Sequence, residues 1–341
     1  MAVTNGGEHV NAKEWPTRRV AFLALPGMNL TTLAGPVDAF TLASIYLYRS
    51  GKRRSPAYEL QLLTADASPL ATPSGLSIGG GGPWKEARLP IDTLLVLAGA
   101  DVAQGRLDPE LIAWIRARAA DTRRVGSICA GAFVLAAAGL LDGRPATTHW
   151  QLAETLARKY PKVLVDGDRI YTQDGNIWTS AGVSAGVHLA LAMVEEDHGH
   201  ELALEIARRM VIFMRRGAGH RQFSSQLAAQ AADHQPIRDL IAWISEHLDG
   251  DLSVPALARR VGMSERNFSR VFTQQVSMTP ARFVARVRTE AAKAKLAETG
   301  NKLDTVAQNA GFGDGETLRR HLRGDEKALI RPARVAVNVA G

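Results

Sequence analysis

From residue 19 to residue 214 the chain alternates short apolar runs with longer stretches whose apolar residues recur every three or four positions. Arg19 to Leu25 (RVAFLAL) is an apolar run closed by Pro26-Gly27, which predicts a buried strand. Met28 to Tyr48 carries Leu33, Val37, Phe40, Leu42, Ile45 and Tyr46 at helical spacing. Further strands are expected at Tyr58 to Thr64, briefly within Ser74 to Ile78, and at Ile91 to Leu97 and Arg124 to Ile128. Pro109 to Ala120 and Phe133 to Leu141 read as helices. Ala146 to His149 and Val163 to Val165 are short strands, and Asp174-Gly175-Asn176 is a hairpin turn signal. Ser184 to Glu196 and Glu201 to Met214 are again helical. Strands alternating with helices predict an α/β domain, a mostly parallel sheet with helices on both faces. Gly79 to Gly82 lacks the Gly-Lys-Ser/Thr ending of a phosphate loop and reads as a flexible turn.

The pattern breaks at Arg215. Residues 215–236 are rich in Gly, Ala, Gln and Ser, with no stripe beyond Phe223 and Leu227, and predict a linker between domains at 18–214 and 237–341. The second domain reads as all-helical. Ile237, Leu240, Ile241, Ile244 and Leu248 form one stripe, and Trp243 is expected to pack against the next helices. Leu252 to Val276 (LSVPALARRVGMSERNFSRVFTQQV) then reads as two short helices about a turn. Ser253 and Ser264 cap them, Gly262 stops the first, and Phe268, Val271 and Phe272 bury the second. The outward side of that second helix is polar and carries Arg266, Asn267 and Arg270. That is how a helix-turn-helix presents a recognition helix, although an ordinary helical hairpin has the same capping pattern.

A repeat shifts the balance. In Leu303 to Leu322, Val306 matches Leu257, Ala307 matches Ala258, Gly311 matches Gly262 and Phe312 matches Met263. With one extra turn residue, Leu318 falls on Phe268, Arg320 on Arg270 and Leu322 on Phe272. The helix expected between the two units, from Pro280, is about 30 Å long, close to one turn of DNA. Charge agrees with such a partner: the net formal charge is +7, and from Ile237 onward 17 Lys/Arg stand against 12 Asp/Glu.

The rest of the composition mainly excludes. No apolar run reaches the roughly 18 residues of a membrane span, and residues 1–15 lack a signal-peptide core and read as a floppy leader. The single cysteine, Cys129, excludes an internal disulfide framework and a cysteine metal cluster. No metal or cofactor is expected, and the simplest location is the cytoplasm.

Cys129 stands where a strand meets a small-residue turn and a helix, the place where sites form in α/β sheets. A helix N-terminus there is expected to favour thiolate. Ser127 to Trp150 (SICAGAFVLAAAGLLDGRPATTHW), Leu33 to Phe40 (LAGPVDAF) and Thr179 to Gly199 (TSAGVSAGVHLALAMVEEDHG) closely resemble the ThiJ/PfpI superfamily, with its class I glutamine amidotransferase-like fold. They are most similar to the GlxA-type regulators, which join such a domain to an AraC-type DNA-binding domain. The resemblance spans about 18–226. It implies that Cys129 is the elbow cysteine, that Asp38 approaches it, and that His149 lies near the pocket. Departures are visible too. Ala130 stands where peptidase-like members carry His, Ala98-Gly99-Ala100 replaces a Gly-Gly donor pair, and His188 stands where an acid is usual. These favour a ligand-sensing pocket over the alternative, a hydrolase or hydratase with Cys129 as nucleophile; plain burial of the cysteine stays open.

VGMSERNFSRVFTQQVSMTPARFVARVRTEAAKAKL and VAQNAGFGDGETLRRHLR resemble the AraC family DNA-binding domain, over about 237–323. The resemblance places base contacts on Arg266, Asn267 and Arg270 in the first unit and on Glu316, Thr317 and Arg320 in the second, with Arg319 on phosphate. After Arg323 only Arg331-Pro332 matches the family's closing segment. The expected function is a dimeric transcriptional regulator of promoter DNA. By resemblance it is an activator of metabolic genes that responds to a small, nitrogen-containing effector.

Overall fold

The computed structural model describes residues 16–212, 222, 235–276, 278–298 and 303–327. The expected leader, most of the expected linker and the altered tail at Arg331-Pro332 lie outside these residues. The chain forms two compact units, Met1–Gln222 and Phe223–Gly341.

The first unit is built on strands β1 (Arg18–Ala24), β2 (Tyr58–Thr64), β5 (Gly82–Pro83), β6 (Thr93–Ala98), β7 (Arg124–Cys129), β10 (Tyr171–Asp174) and β11 (Ile177–Ser180). Two small pairs stand apart, β3 (Leu70–Ala71) with β4 (Ser77–Ile78) and β8 (Pro145–Ala146) with β9 (Leu164–Val165). The seven-stranded sheet runs β10-β11-β7-β6-β1-β2-β5, and every pairing is parallel except the β10–β11 hairpin. The central strands β1, β6 and β7 are apolar on both sides because both faces are covered.

Helices α1 (Leu30–Arg49), α5 (Ser184–His198) and α6 (His200–Arg209) cover one face, around Phe22, Phe40, Leu97 and Leu189. Helices α2 (Pro109–Asp121), α3 (Gly131–Ala137) and α4 (Ala153–Lys159) cover the other, around Leu23, Val96, Ile115 and Phe133. Helix α1 is long and apolar enough to cross a membrane by composition alone, but it buries Leu33, Pro36, Ala39, Phe40, Ala43 and Leu47 in this core. It is a core helix of the α/β unit. The strand expected over Ala146 to His149 stops at Ala146, because Thr147 and Thr148 turn their polar groups to neighbouring segments instead.

A charged cluster pins the opposite, N-terminal edge of the sheet. The Arg124 guanidinium is 3% exposed and meets Asp197 at 2.5 Å and Glu196 at 3.0 Å. Arg123 meets the same Asp197 at 2.9 Å, and the Tyr58 hydroxyl donates to it at 2.8 Å. These contacts tie β2, β7 and the strand-edge residue Arg123 to the end of α5. Burial alone raises the Asp197 pKa, but Arg124, Arg123 and Arg18 outweigh it and hold the carboxyl below its ordinary value. Beside it, burial chiefly lowers the His198 pKa to about 4, so that imidazole is neutral at pH 7.

Both groups bind protons more readily in the unfolded chain, so stability falls as pH falls. The His198 contribution is lost between its ordinary value of 6.5 and about 4. The Asp197 contribution is present above the ordinary carboxylate value of 3.8 and lost as pH drops through its lowered pKa. Urea unfolding across pH 7 to 3 is expected to show two stages, with His198→Phe removing the upper one. Asp197→Asn, which leaves the buried Arg124 guanidinium with Glu196 as its charged partner, is expected to cost about 3–5 kcal/mol at pH 7. A variant with wild-type stability contradicts the pairing.

The second unit holds six described helices: α7 (Gln235–Glu246), α8 (Val254–Arg260), α9 (Glu265–Val276), α10 (Pro280–Glu298), α11 (Leu303–Asn309) and α12 (Gly315–Lys327). Ile241, Ile244, Leu257, Phe268, Phe272 and Phe283 form one core; Ala292, Val306, Ala307 and Leu318 form a second. Each core sits under one helix-turn-helix, and α10 contributes to both. Trp243 is half-buried, with Arg260 at the end of the next helix placing its guanidinium 3.6 Å from the ring centroid.

Candidate functional site

The C-terminal edge of the sheet gathers the loops after β1, β6, β7 and β11. Leu25 donates to Leu97 O at 2.8 Å, and Gly99 donates to Pro26 O at 3.3 Å, so the first two loops are laced together. At the end of β7, Cys129 takes a φ of 58°, a left-handed conformation that a side chain rarely adopts. It is held there by crowding. A β-carbon on Gly131 would lie 2.0 Å from Val96 O, and one on Gly182 would lie 2.4 Å from the Cys129 β-carbon. Val183, next to Gly182, is strained as well, with a φ of 48°.

The thiol in this elbow is buried, and burial pushes its pKa up, against a smaller opposing effect of the Ala130 N–H. The expected thiolate is therefore corrected. The seven-residue helix α3 and one N–H do not offset the lost hydration of a charged sulfur. The Gly99 N–H, where a close oxyanion donor was sought, is spent on Pro26 O.

The two expected partners of Cys129 fall differently. Asp38 is exposed on α1, whose buried side carries Thr32, Leu33, Pro36, Ala39 and Phe40. Pro36, on the buried side, faces the Gly186–Ile128 contact. His149 is half-buried beside Trp150, ring centroids 5.7 Å apart, and burial lowers its pKa, which leaves it neutral at pH 7. It follows Thr148, whose hydroxyl donates to Cys129 O at 2.8 Å. Thr32, in the first turn of α1, is 1% exposed, and its hydroxyl has no partner among the described residues. It carries no motif of its own, and sequence reasoning passed over it.

In the second unit the two turns are built alike. Gly262 and Gly311 take φ of 67° and 75°, and the next residues, Met263 and Phe312, donate back to Ala258 O and Ala307 O. Ser264 caps α9 by accepting from Asn267 N–H at 3.4 Å, and Asp314 caps α12 by accepting from Thr317 N–H at 2.6 Å. One turn on, Arg270 donates to Asn267 Oδ1 at 3.0 Å, and Arg320 donates to Thr317 Oγ1 at 3.2 Å. Arg266, Asn267, Arg270, Glu316, Arg319 and Arg320 are exposed, and Thr317 is half-buried. Arg319 pairs with Glu316 at 2.7 Å. Arg288, on the connecting helix, is a different kind of cation. It donates to Leu248 O and Gly250 O, both at 2.8 Å, and fastens α10 to the end of α7.

Residues 18–196 match the DJ-1/PfpI family, and residues 257–324 match a helix-turn-helix domain. The chain belongs to the DJ-1/PfpI family and carries an AraC-type DNA-binding domain. It is 27% identical over 302 residues to the HTH-type transcriptional regulator CdhR of Pseudomonas aeruginosa, covering 89% of this chain and 87% of that one. It is 30% identical over 253 residues to the HTH-type transcriptional regulator Rv1931c of Mycobacterium tuberculosis, covering 68% and 90%. The isonitrile hydratase of Pseudomonas putida is 33% identical over 188 residues, 54% of this chain and 74% of the enzyme. This DJ-1/PfpI protein is thus an AraC-family DNA-binding transcriptional regulator. Its elbow cysteine belongs to the regulator's α/β unit.

Two outcomes test the elbow. Iodoacetamide is expected to alkylate Cys129 at pH 8 more slowly than it alkylates a small unstructured thiol, since thiolate is the reactive form; a faster rate contradicts a buried, neutral thiol. Gly182→Ala, which meets both the crowding and a φ of 94°, is expected to lower the thermal midpoint markedly, while Cys129→Ala leaves it nearly unchanged.

Proposed function

We propose that the regulator reads promoter DNA with α9 and α12, and that a small-molecule effector binding at the Cys129 elbow governs this. The observation that carries the reading is the matched pair Arg270 and Arg320. Each is exposed at the same position of a repeated motif, and each is steadied by the residue one turn before it. An arginine whose fork is already oriented loses less freedom on meeting the O6 and N7 of guanine. Arg266, Asn267, Glu316 and Thr317 take the neighbouring base edges. Arg319 contacts phosphate, exchanging Glu316 for the DNA backbone. The connecting helix α10, 19 residues and about 28 Å long, suits two readers on successive major-groove faces.

The effector is a nitrogen-containing metabolite, the regulator activates metabolic genes, and the working species is a cytoplasmic homodimer. Its mechanism is a shift in population: effector favours the arrangement in which both chains meet their half-sites. Identity with a hydratase over 188 residues favours a second reading, chemistry at Cys129. The raised thiol pKa, the occupied Gly99 N–H and the absence of a described contact between Cys129 and His149 or Asp38 weigh against it.

With the preferred site recovered from a random-sequence DNA pool, Arg270→Ala and Arg320→Ala are each expected to weaken binding by about 1–3 kcal/mol and relax one base preference. Arg319→Ala weakens binding evenly across sequences and lowers the salt slope by about 1. Unchanged affinity and preference in both Arg270→Ala and Arg320→Ala overturns the assignment.

A further inference from the structure

Gln222 lies in the stretch where composition predicts only a linker, yet its side chain is fully engaged. Its Nε2 donates to Thr148 O at 2.7 Å, Gly167 O at 2.9 Å and Arg169 O at 3.1 Å, with Thr147 Oγ1 at 3.2 Å. Its Oε1 accepts from the Trp150 N–H at 2.9 Å, and its own backbone N–H donates to Asp168 O. We propose that Thr147, Thr148, Trp150, Gly167 and Arg169 form a binding site for a primary carboxamide, and that Gln222 of the same chain is its resident ligand.

The chemistry of the cradle selects that group. Four oxygens surround the nitrogen, and one N–H meets the oxygen. A carboxylate brings negative charge against four acceptors. An ammonium satisfies the acceptors and leaves the Trp150 N–H without an oxygen. Only a planar group with an NH2 beside a carbonyl answers both.

The α/β unit builds the cradle without help from Gln222. The Asp166 carboxylate accepts from Asp168 N–H at 3.1 Å and from Arg169 Nε at 3.0 Å, which sets the loop that offers the Gly167 and Arg169 carbonyls. A β-carbon on Gly167 would lie 2.4 Å from the Ala153 β-carbon, so the loop sits tight against α4. On the other side, Thr147 N–H donates to Thr179 Oγ1 at 2.7 Å, and the Thr147 hydroxyl donates to Arg169 O at 2.9 Å.

Thr148 offers its carbonyl to Gln222 and its hydroxyl to Cys129 O, so the cradle and the elbow share a residue.

Hydrogen exchange at the Trp150 amide of the full chain tests the site directly. Gln222→Ala and Gln222→Glu are each expected to speed that exchange by about tenfold, the equivalent of one lost hydrogen bond. Propanamide added to the Gln222→Ala protein is expected to restore protection, and propanoate is not. Wild-type exchange in either variant, or propanamide no better than propanoate, overturns the proposal. Neither result depends on what binds at Cys129.

Discussion

At the C-terminal edge of the sheet, the backbone approaches leave no room for a β-carbon, and the one against Cys129 decides what that residue can do. Gly182 presses on the cysteine from the β11 loop while Gly131 lets α3 start directly against β6. The crowding holds Cys129 at positive φ and buries its sulfur in the same act. A site that strains its backbone in this way stores a defined shape. Here the shape comes with a neutral thiol, a neutral imidazole and an α1 carboxylate turned to solvent. The scaffold has the form of a reactive elbow without the charge that would make its sulfur reactive.

The DNA-binding unit solves a different problem with a repeated device. Each helix-turn-helix uses a glycine past the first helix, an apolar residue after it and a short polar cap on the second helix. Those local rules fix the angle of the outer helix, and the angle fixes which side chains stay exposed. Pairing each arginine with the residue one turn earlier repeats between the units, even though the partner changes from Asn to Thr. In the proposed function a net basic domain supplies attraction to any DNA, and the two oriented arginines supply the preference.

What was legible in the sequence follows from how local each cause is. Alternating apolar runs gave the parallel sheet and its two helical layers, and the spacing of Leu257, Gly262 and Phe268 gave the first reader. The repeat in Val306, Gly311 and Leu318 gave the second. Features made by distant parts of the chain left no such trace. Arg124 and Asp197 are 73 positions apart, and nothing near either one announces the pair. Asp38, which by resemblance approaches the cysteine, is exposed on α1. The thiol pKa depends on burial, which outweighs the helix end that the sequence displays. The Gln222 cradle is the extreme case. Its acceptors are mostly backbone carbonyls, which every residue has, so only the fold reveals them.

In the proposed function one chain carries two DNA readers set a helical turn of the duplex apart and working together. Hydroxyl-radical footprinting on the selected DNA site measures this most directly. Each bound chain is expected to protect two patches about 10 base pairs apart on one face of the duplex. A single protected patch per chain, or protection without sequence preference, contradicts it.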